Sequence, residues 1–340
     1  MGTHWGMTAT SVQVEAFDKS AASPQERLAV AELILACHAL AYPEDPPLVK
    51  EKVAATLGDH LPDELVLPFM VRRGEQMIGW AKLEFSLTQN LHMAHANIMV
   101  HPQHRRAGVG RALAATLEQQ ARQHGRRVVT FSTSDRVPAA QPFAERLGGE
   151  PALPMRQSQL VVDEVSAELL DRWCARPESD PYRLHIWTVL PDEYLTRAAD
   201  LMGVMNNAPR GDLDVDDWTI TPEMIRGWEE MMSKDGEVGL TLAAEDQTTG
   251  TLAGYTQLFW HPQRASIAYQ GATAVRPQYR GTGLGKWLKA AALRELPAHC
   301  PGTRFIRTNN ANVNAAMLAI NVQLGFLPYA AVTDWQIKLN

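Results

Sequence analysis

A short segment rich in arginine and glycine occurs twice, and its residue types suit the binding of a phosphate group. VHPQHRRAGVGRAL begins at Val100, and VRPQYRGTGLGKWL begins 175 residues later at Val275. In each copy an apolar, strand-like run is followed by Arg-x-x-Gly-x-Gly and then by a helical pattern. Glycine lets the backbone approach a ligand closely, and the amides at a helix N-terminus attract anions. The segment therefore predicts a phosphate or pyrophosphate loop in each half of the chain.

Other glycine-containing loops explain this segment less well. A Rossmann dinucleotide site needs a third glycine and a suitably spaced acidic residue after the next strand, and the segment provides neither. A Walker loop needs a hydroxyl residue after its lysine, whereas Lys286 is followed by Trp287. For one copy alone, a tightly packed strand–helix turn that binds nothing is an equal alternative. The repetition favours a ligand-binding loop.

The similarity between the halves extends beyond the loop. LGG at Leu147 and LGF at Leu324 are 177 residues apart, which is only two residues more than the spacing of the two loops. We therefore expect a duplicated domain. Its copies are placed at 7–162 and 182–340, with a linker helix and loop at 163–181.

Hydrophobic periodicity predicts alternating strands and helices in each half. In the first half the expected strands are Val12–Ala16, Pro68–Arg72, Met77–Phe85, Met93–Val100 and Val128–Ser132, and the helices Gln25–Ala41, Leu48–Leu57, Val109–His124 and Ala139–Leu147. In the second half the strands are Arg183–Val189, Val238–Ala244, Leu252–Trp260, Ala265–Val275 and Phe305–Thr308, and the helices Asp192–Met205, Pro222–Met232, Thr282–Leu296 and Val313–Leu324. Glu164–Cys174 is expected to form the linker helix.

Composition excludes several classes of protein. The formal net charge of −6 and the absence of a long basic run argue against nucleic acid or an anionic membrane as the main partner. Three widely separated cysteines predict a reducing compartment without disulfides or a zinc site. Leu28–Tyr42 is too short to span a bilayer, and the first residues show no signal-peptide pattern. We expect a cytoplasmic protein without a metal.

The pattern Val-x-Pro-x-x-Arg-x-x-Gly-x-Gly resembles motif A of the GCN5-related N-acetyltransferases, the GNAT family. RTNNANVNAAMLAINVQLGF, from Arg307 to Phe326, resembles motif B of that family. The resemblance covers nearly the whole chain. It implies an α/β fold with two GNAT-like domains in tandem, each a central mixed β-sheet flanked by helices, and acetyl-CoA as co-substrate.

The resemblance also assigns residues to the cofactor. In the second half it implies that the pantetheine arm pairs with Thr273, Ala274 and Val275, and that the pyrophosphate lies against Arg280, Gly281, Thr282, Gly283, Leu284, Gly285 and Lys286. Asn310 and Asn314 match the asparagines of motif B. The corresponding residues of the first half are Met99, Val100, Arg105, Arg106, Ala107, Gly108, Val109, Gly110 and Arg111.

Acetylation of an amine requires loss of a proton from the amine, a polarised thioester carbonyl and a stabilised thiolate. The resemblance implies a tyrosine acid on the motif-B helix, where this chain has Asn321, and a carboxylate base on the fourth strand, where it has Tyr269. Asparagine donates a hydrogen bond but does not deliver a proton at neutral pH. Tyr269, Asn321 and Glu245 are therefore the catalytic candidates of the second half. Packing as a strand aromatic is the alternative for Tyr269, and a solvated edge position is the alternative for Glu245.

The first half departs further from the family pattern. It lacks the motif-B asparagines, and Pro138 and Pro142 shorten the corresponding helix. Glu84 and His95 are its only low-weight candidates for a base. We predict that the second half is catalytic and that the first half either binds acetyl-CoA or only shapes the substrate cleft.

The leading interpretation is an N-acetyltransferase that transfers acetyl to the primary amine of a small molecule by direct attack in a ternary complex. Residues 210–218, between the first two predicted helices of the second half, resemble the family's loop that closes over the acceptor. Their four aspartates favour a cationic amine, with a solvated acidic loop as the alternative. Trp218, Trp228 and Trp260 either line an apolar pocket or pack in the core. Two other functions stay open: transfer from another acyl-CoA or to a hydroxyl, and acetyl-CoA sensing without catalysis. Both a monomer and a homodimer are compatible with the sequence.

Overall fold

The computed structural model of the chain describes residues 12–339, which form two compact units. Within the described residues, the first unit comprises 12–154, Arg210–Asp216 and 332–339. The second unit comprises Met155–Pro209 and Asp217–Ala331. The units are thus discontinuous in sequence, whereas the sequence boundaries at 162 and 182 describe two continuous repeats. The boundaries at 162 and 182, with the linker at 163–181, stay a prediction.

The first unit is a mixed sheet with helices on both faces. In chain order its elements are β1 (Glu15–Ala16), α1 (Pro24–Ala41), α2 (Lys50–Thr56), β2 (Glu64–Arg73), β3 (Gln76–Ser86), β4 (Met93–Val100), α3 (Val109–Gln123), β5 (Val128–Ser134) and α4 (Ala140–Arg146), followed by the start of β6 (Glu150–Val161). The strands lie in the order β1-β2-β3-β4-β5, and only β4 and β5 are parallel. A C-terminal segment, Val332–Lys338, pairs antiparallel with β5.

The second unit repeats this plan. Met155–Val161 of β6 is followed by α5 (Ala167–Cys174), β7 (Tyr182–Trp187), α6 (Leu195–Met202), α7 (Pro222–Asp235), β8 (Val238–Asp246), β9 (Thr251–Trp260), β10 (Ile267–Val275), α8 (Leu284–His299), β11 (Phe305–Ala311), α9 (Ala315–Leu324) and the start of β12 (Leu327–Lys338). The strand order is β7-β8-β9-β10-β11-β6, and only β10 and β11 are parallel.

Apolar residues of the sheets fix which face each helix packs on. In the second unit, Leu288 of α8 lies in one core with Leu242 and Ala268 of the sheet. Ala198 of α6 lies in the core of the opposite face with Ala243. The alternation of side chains along a strand explains why neighbouring residues such as Leu242 and Ala243 enter different cores.

The predicted fold class is confirmed, and every predicted helix and strand overlaps an observed one. The sequence did not predict β6 and β12. The first half of β6 contains Pro151 and Pro154, which cannot donate to a ladder and so disfavour a strand assignment. Both strands also obtain partners that are remote in sequence, since Leu160 pairs with Ile306 and Trp335 pairs with Phe131.

None of the helices between residues 12 and 339 combines the length and the apolar character that crossing a bilayer requires.

Candidate functional site

The central strands of the second unit part in the middle of the sheet. The parallel pairing of β10 with β11 runs from Ile267 with Phe305 to Tyr269 with Arg307. Beyond Tyr269, β10 continues to Val275 and β11 to Ala311 without further recorded pairs between them. The two strands therefore open into a V-shaped cleft. Its β10 edge presents backbone groups that an extended, amide-bearing ligand arm can pair with.

A β-bulge lies at the start of this open edge. Gln270 pairs with Leu258 and Thr273 with Thr256, so Gly271 and Ala272 oppose the single residue Gln257. A bulge redirects the strand and leaves one residue out of the ladder. Gly271 is required there, because a Cβ atom would lie 2.6 Å from Cε2 of Phe259. The bulge therefore changes the course of β10 where that strand leaves β11.

The predicted phosphate loop joins the open strand to α8. Gly281 and Gly283 have φ of +80° and +83°, which is left-handed geometry that favours glycine. Arg280 donates from Nε to the carbonyl oxygen of Val275 at 3.1 Å and so fixes the turn to the strand end. The first-turn amides of α8, at Leu284, Gly285 and Lys286, have no intrahelical acceptor. This loop has the donors and the dipole that a pyrophosphate requires.

Arg176 contacts this loop, although the sequence predicted it only as part of the linker. Its Nη1 donates to the carbonyl oxygen of Thr282 at 3.1 Å, and it lies 3.5 Å from where a Cβ of Gly283 would be. The guanidinium also lies 5.1 Å from the ring of Trp287. Arg176 follows α5 and lies far from both motifs in the sequence. The only sequence signal for it is an Arg-Pro pair after a predicted helix.

The motif-B asparagines are engaged with one another and with a helix end. Asn321, buried on α9, donates from Nδ2 to Oδ1 of Asn310 at 2.7 Å. Asn314 caps α9, with Oδ1 accepting from the amide of Met317 at 3.3 Å. In this arrangement Asn321 orients Asn310, which lies on the β11 side of the cleft. The catalytic assignment of Asn321 stays a prediction.

Tyr269 occupies the vertex of the cleft. It is the last β10 residue paired with β11 and is 37% exposed, the largest exposure of a β10 side chain. Ala268 belongs to the core under α8, so Tyr269 projects from the opposite face, which α6 and α7 flank. Its neighbour across the strand pair is Arg307, whose Nε donates to Oε1 of Gln159 at 2.8 Å. Tyr269 is thus placed where the two strands separate.

Glu245 lies on β8, two strands from the cleft. His185 Nε2 and Arg197 Nη1 each lie 2.6 Å from its carboxylate oxygens. Burial raises the pKa of Glu245, but the hydrogen bonds from His185 and Arg197 outweigh it and hold that pKa below its usual value. A carboxylate held as an anion by two partners is a weak base. Its role as a base stays a prediction.

The first unit contains a loop with nearly the same backbone. Arg106 has φ +67° and Gly108 φ +83°, at the positions that correspond to Gly281 and Gly283. Arg105 donates from Nε to the carbonyl oxygen of Val100 at 3.3 Å, which matches the contact of Arg280. The left-handed conformation at Arg106 costs a non-glycine residue about 1–2 kcal/mol. The loop geometry is thus kept despite that cost.

The acidic segment predicted to close over an acceptor of the second half belongs instead to the first unit, as far as Asp216. The amide of Asp216 donates to Oδ1 of Asn90 at 2.7 Å, and the amide of Asp214 donates to Oε1 of Gln336 at 2.9 Å. The carbonyl of Asp214 lies 3.0 Å from Nε2 of His92. The placement differs from the prediction because hydrogen bonds to β12 and to the turn before β4 hold this segment.

The three tryptophans have different environments. Trp260 is buried in the core under α8 and donates from Nε1 to the carbonyl of Ala265 at 2.9 Å. Trp228 packs against the core of α6 and α7. Trp218 is 36% exposed, and its backbone is held at both ends by Asn206. Only Trp218 therefore offers a large exposed surface.

Within the described residues, no group of three or more His, Cys, Asp or Glu side chains is arranged to hold a metal ion.

Each unit has a mixed sheet that opens between its two parallel strands, and a glycine-rich loop leads from the open strand to a helix. These features define the acetyltransferase fold that the motifs indicated. The model of the GNAT acetyltransferase family matches residues 28–149 and 206–326, and the chain belongs to that family. A solved tandem GNAT protein from the clavulanic acid biosynthesis pathway is 26% identical, with a TM-score of 0.77 over 96% of this chain and 98% of that one. A GCN5-related N-acetyltransferase from Sphaerobacter thermophilus shares the fold at 18% identity, with a TM-score of 0.65 over 97% of each chain.

Curated relatives carry a more specific description. A mycothiol acetyltransferase of Mycobacterium leprae is 27% identical over 329 residues, which covers 93% of this chain and 96% of that protein. A mycothiol acetyltransferase of Stackebrandtia nassauensis is 27% identical over 273 residues, covering 79% and 82%. This chain is therefore an acetyltransferase with two GNAT domains in tandem.

Proposed function

We propose that the second unit transfers acetyl from acetyl-CoA to the primary amine of a small molecule by direct attack in a ternary complex. The open edge of β10 beyond Tyr269, continuous with the loop at Arg280, carries the proposal. It gives one path on which a pyrophosphate and an extended amide arm are both bound. The thioester then lies near the vertex of the cleft.

The residues of the cleft have distinct roles in this proposal. The amides of the loop bind the pyrophosphate, with Arg176 and Arg280 holding the loop carbonyls in place. The backbone of Thr273 to Val275 pairs with the arm, while Asn310 is oriented by Asn321 on the facing strand. Tyr269 relays the amine proton towards solvent through water. Holding amine and thioester together supplies much of the acceleration, so no covalent nucleophile is needed.

The acceptor enters from the face of β10 that carries Tyr269. Trp228, which packs against the core of α6 and α7, gives this side an apolar character. The relatives are named for mycothiol, so the free-amine precursor of mycothiol is the first acceptor to test. Amino sugars and polyamines complete the panel as other small molecules with a primary amine.

The proposal is tested with two matched variants of the loops. Gly283→Ala with Gly285→Asp disables the second loop, and Gly108→Ala with Gly110→Asp disables the first. An aspartate in the first helical turn suits the helix dipole but repels a pyrophosphate, and circular dichroism of both variants checks that folding is retained. Thiol release from acetyl-CoA with each amine is the measurement. We expect turnover of the preferred amine to fall at least 100-fold in the second-loop variant only.

Loss of that turnover in the first-loop variant alone would show that the catalytic unit is assigned incorrectly. A non-catalytic acetyl-CoA sensor is the second candidate, because the family's tyrosine acid and strand carboxylate are replaced by Asn321 and Tyr269. Tight binding of acetyl-CoA in calorimetry, without thiol release for any amine, would favour the sensor. Release with hydroxyl acceptors alone would favour O-acetylation.

A further inference from the structure

One face of the first unit's sheet is polar where a buried core would be expected. Lys82 and Glu84 of β3, His95 and Asn97 of β4, and Thr130 and Ser132 of β5 lie side by side on it, as the strand registers require. We call these six residues the polar face. Trp80 and Met99 on the same face pack under α1 and α2, whereas the opposite face is the apolar core under α3. The helices thus cover only part of this side of the sheet.

Hydrogen bonds order the polar face internally. Lys82 Nζ lies 2.6 Å from Oε2 of Glu84, and Ser132 Oγ donates to Oδ1 of Asp334 at 2.6 Å. Gln336, farther along the same strand, accepts from the amide of Asp214 and donates to the carbonyl of Asp212. A row of satisfied polar groups on a partly open sheet face has the character of a binding surface for a polar molecule.

His95 stands at the point where the central strands of this unit separate. The parallel pairing of β4 and β5 runs from Met93 with Val128 to His95 with Thr130, and β4 then continues to Val100 paired with β3 on its other edge. This vertex corresponds to that of the second unit. From His95 to Val100 the strand extends about 17 Å, which is comparable with an extended pantetheine arm. The loop that follows has the backbone of the second unit's loop.

A hydroxyl group contacts the ring of His95. Thr130 Oγ1 lies 3.2 Å from Nδ1 of His95 and 3.4 Å from the carbonyl oxygen of Ala94. When that hydroxyl donates to Ala94 it accepts from Nδ1–H, and this tautomer leaves the lone pair on Nε2. Burial lowers the pKa of His95, the charge of Glu84 opposes this, and Lys82 and Asp334 act in opposite directions. The imidazole is therefore neutral, and able to accept a proton, at neutral pH.

We propose that the polar face is a second acyl-transfer site, in which His95 accepts the proton of an amine attached to a polar molecule such as an amino sugar. His95 Nε2 takes one proton from the ammonium group. The free amine then attacks the thioester carbonyl of acetyl-CoA, so that a C–N bond forms and the C–S bond breaks. The second amine proton passes to the departing thiolate, and the imidazolium releases its proton to solvent. The inference rests on the proposed use of acetyl-CoA.

The two units would then act on different acceptors. The side of the second unit's sheet that the acceptor approaches carries Tyr269 at the vertex and Trp228 of α7, which are aromatic. In the first unit the vertex carries His95, with the charged and hydroxyl side chains of the polar face beside it. Glu84 and Asp334 favour a cationic acceptor on the polar face, and Lys82 and Ser132 offer hydrogen bonds to its hydroxyl groups.

The experiment uses the full chain with the second loop disabled by Gly283→Ala and Gly285→Asp. Amino sugars, polyamines and the free-amine precursor of mycothiol are offered with acetyl-CoA, and acetylated products are measured by mass spectrometry. We expect acetylation of at least one polar amine to persist. It should disappear when Gly108→Ala and Gly110→Asp are added, while the secondary structure measured by circular dichroism is retained.

His95→Gln in the second-loop variant tests the base. We expect kcat for the persisting amine to fall about 100-fold at pH 7, with less loss at pH 9, where free amine is more abundant, and an unchanged affinity for acetyl-CoA by calorimetry. His124→Gln, an exposed histidine at the end of α3, is the matched control. A loss that is equal at both pH values would indicate a structural role and overturn the assignment of the base.

The outcomes separate this inference from the proposed function. If the intact chain acetylates an amine and the second-loop variant acetylates none, the second site is refuted and the proposed function stands. If the intact chain releases no thiol with any amine, both are refuted. One acetyl-CoA per chain in calorimetry, lost only with the second-loop substitutions, would also refute the second site.

Discussion

Gly271→Ala tests whether the β-bulge positions the reacting groups. The added Cβ would lie 2.6 Å from Cε2 of Phe259, so the ring or the strand must move by about 1 Å to reach ordinary contact. Overpacking of this kind costs roughly 1–3 kcal/mol, or about 2–10 °C in Tm for a unit of this size. A displacement of about 1 Å at the cleft is expected to lower kcat/KM by 10- to 100-fold.

A double-mutant cycle isolates the clash. In a Phe259→Leu background the space is open, so Gly271→Ala should cost little there and kcat/KM should recover to within about threefold of the single Phe259→Leu variant. Gly239→Ala is the matched control, because its Cβ meets the flexible end of Met232 at 3.0 Å and lies at the ordinary contact distance of 3.8 Å from Phe259. Unchanged kcat/KM in Gly271→Ala, or no recovery in the double variant, would refute the positioning role of the bulge.

Three further predictions concern charged side chains of the second unit. Arg176→Gln should raise KM for acetyl-CoA about tenfold, with little change in kcat, because a hydrogen bond from a charged group contributes roughly 1.5–3 kcal/mol. Steady-state kinetics measure this, and Arg172→Gln is the control. Glu245→Gln should leave kcat/KM within about threefold while lowering stability by about 1–3 kcal/mol. Folding lowers the pKa of Glu245 from its usual 4.5, so its ionised side chain stabilises the folded protein above that pH. This stabilisation is lost as the pH falls through the pKa of the folded state. The Tm of Glu245→Gln should therefore depend less on pH in acid than the Tm of the wild type. Lys289 is fully buried, and burial lowers its pKa from 10.5 to about 7. Between those pH values the unfolded chain binds a proton at Lys289 that the folded protein does not, so the free energy of unfolding of the wild type should rise with pH across that range. Lys289→Met should have a higher free energy of unfolding at pH 7 and should not show this rise. Denaturant unfolding at several pH values measures both effects.

The sequence predicted the parts of the fold that local pattern determines. The strand over Met93–Val100 and the helix starting at Val109 follow from an apolar run and from three-four periodicity, which need no knowledge of distant partners. The repeated loop was found for the same reason, since Gly108 and Gly283 mark a backbone conformation that depends mainly on glycine.

What the sequence missed depends on contacts between distant segments. β6 and β12 are strands because β11 and β5 pair with them, and their own composition does not require it. Arg176 enters the loop from a segment more than a hundred residues earlier in the chain, so no motif spacing could reveal it. The acidic segment was assigned to the wrong unit because its neighbour Gln336 lies more than a hundred residues later.

The two loops show why similar cofactor geometry does not determine a common chemistry. Their dihedral angles agree, and Arg105 and Arg280 make the same contact with the preceding strand. The strands before them differ. The pairing of β3 with β4 keeps one register from Gly79 with Val100 to Glu84 with His95, whereas a bulge shifts the register between β9 and β10.

That difference changes what stands at the vertex of each cleft. A regular strand places His95 at the first unit's vertex, while the bulge follows Tyr269 in the second unit and changes the course of β10 where that strand leaves β11. After duplication, the phosphate loop would thus have been preserved, because its left-handed turn favours glycine and its position at a helix N-terminus limits which residues it can contain. Acceptor contacts on the sheet face carry no such restriction, so the two units could diverge there while still binding the same donor.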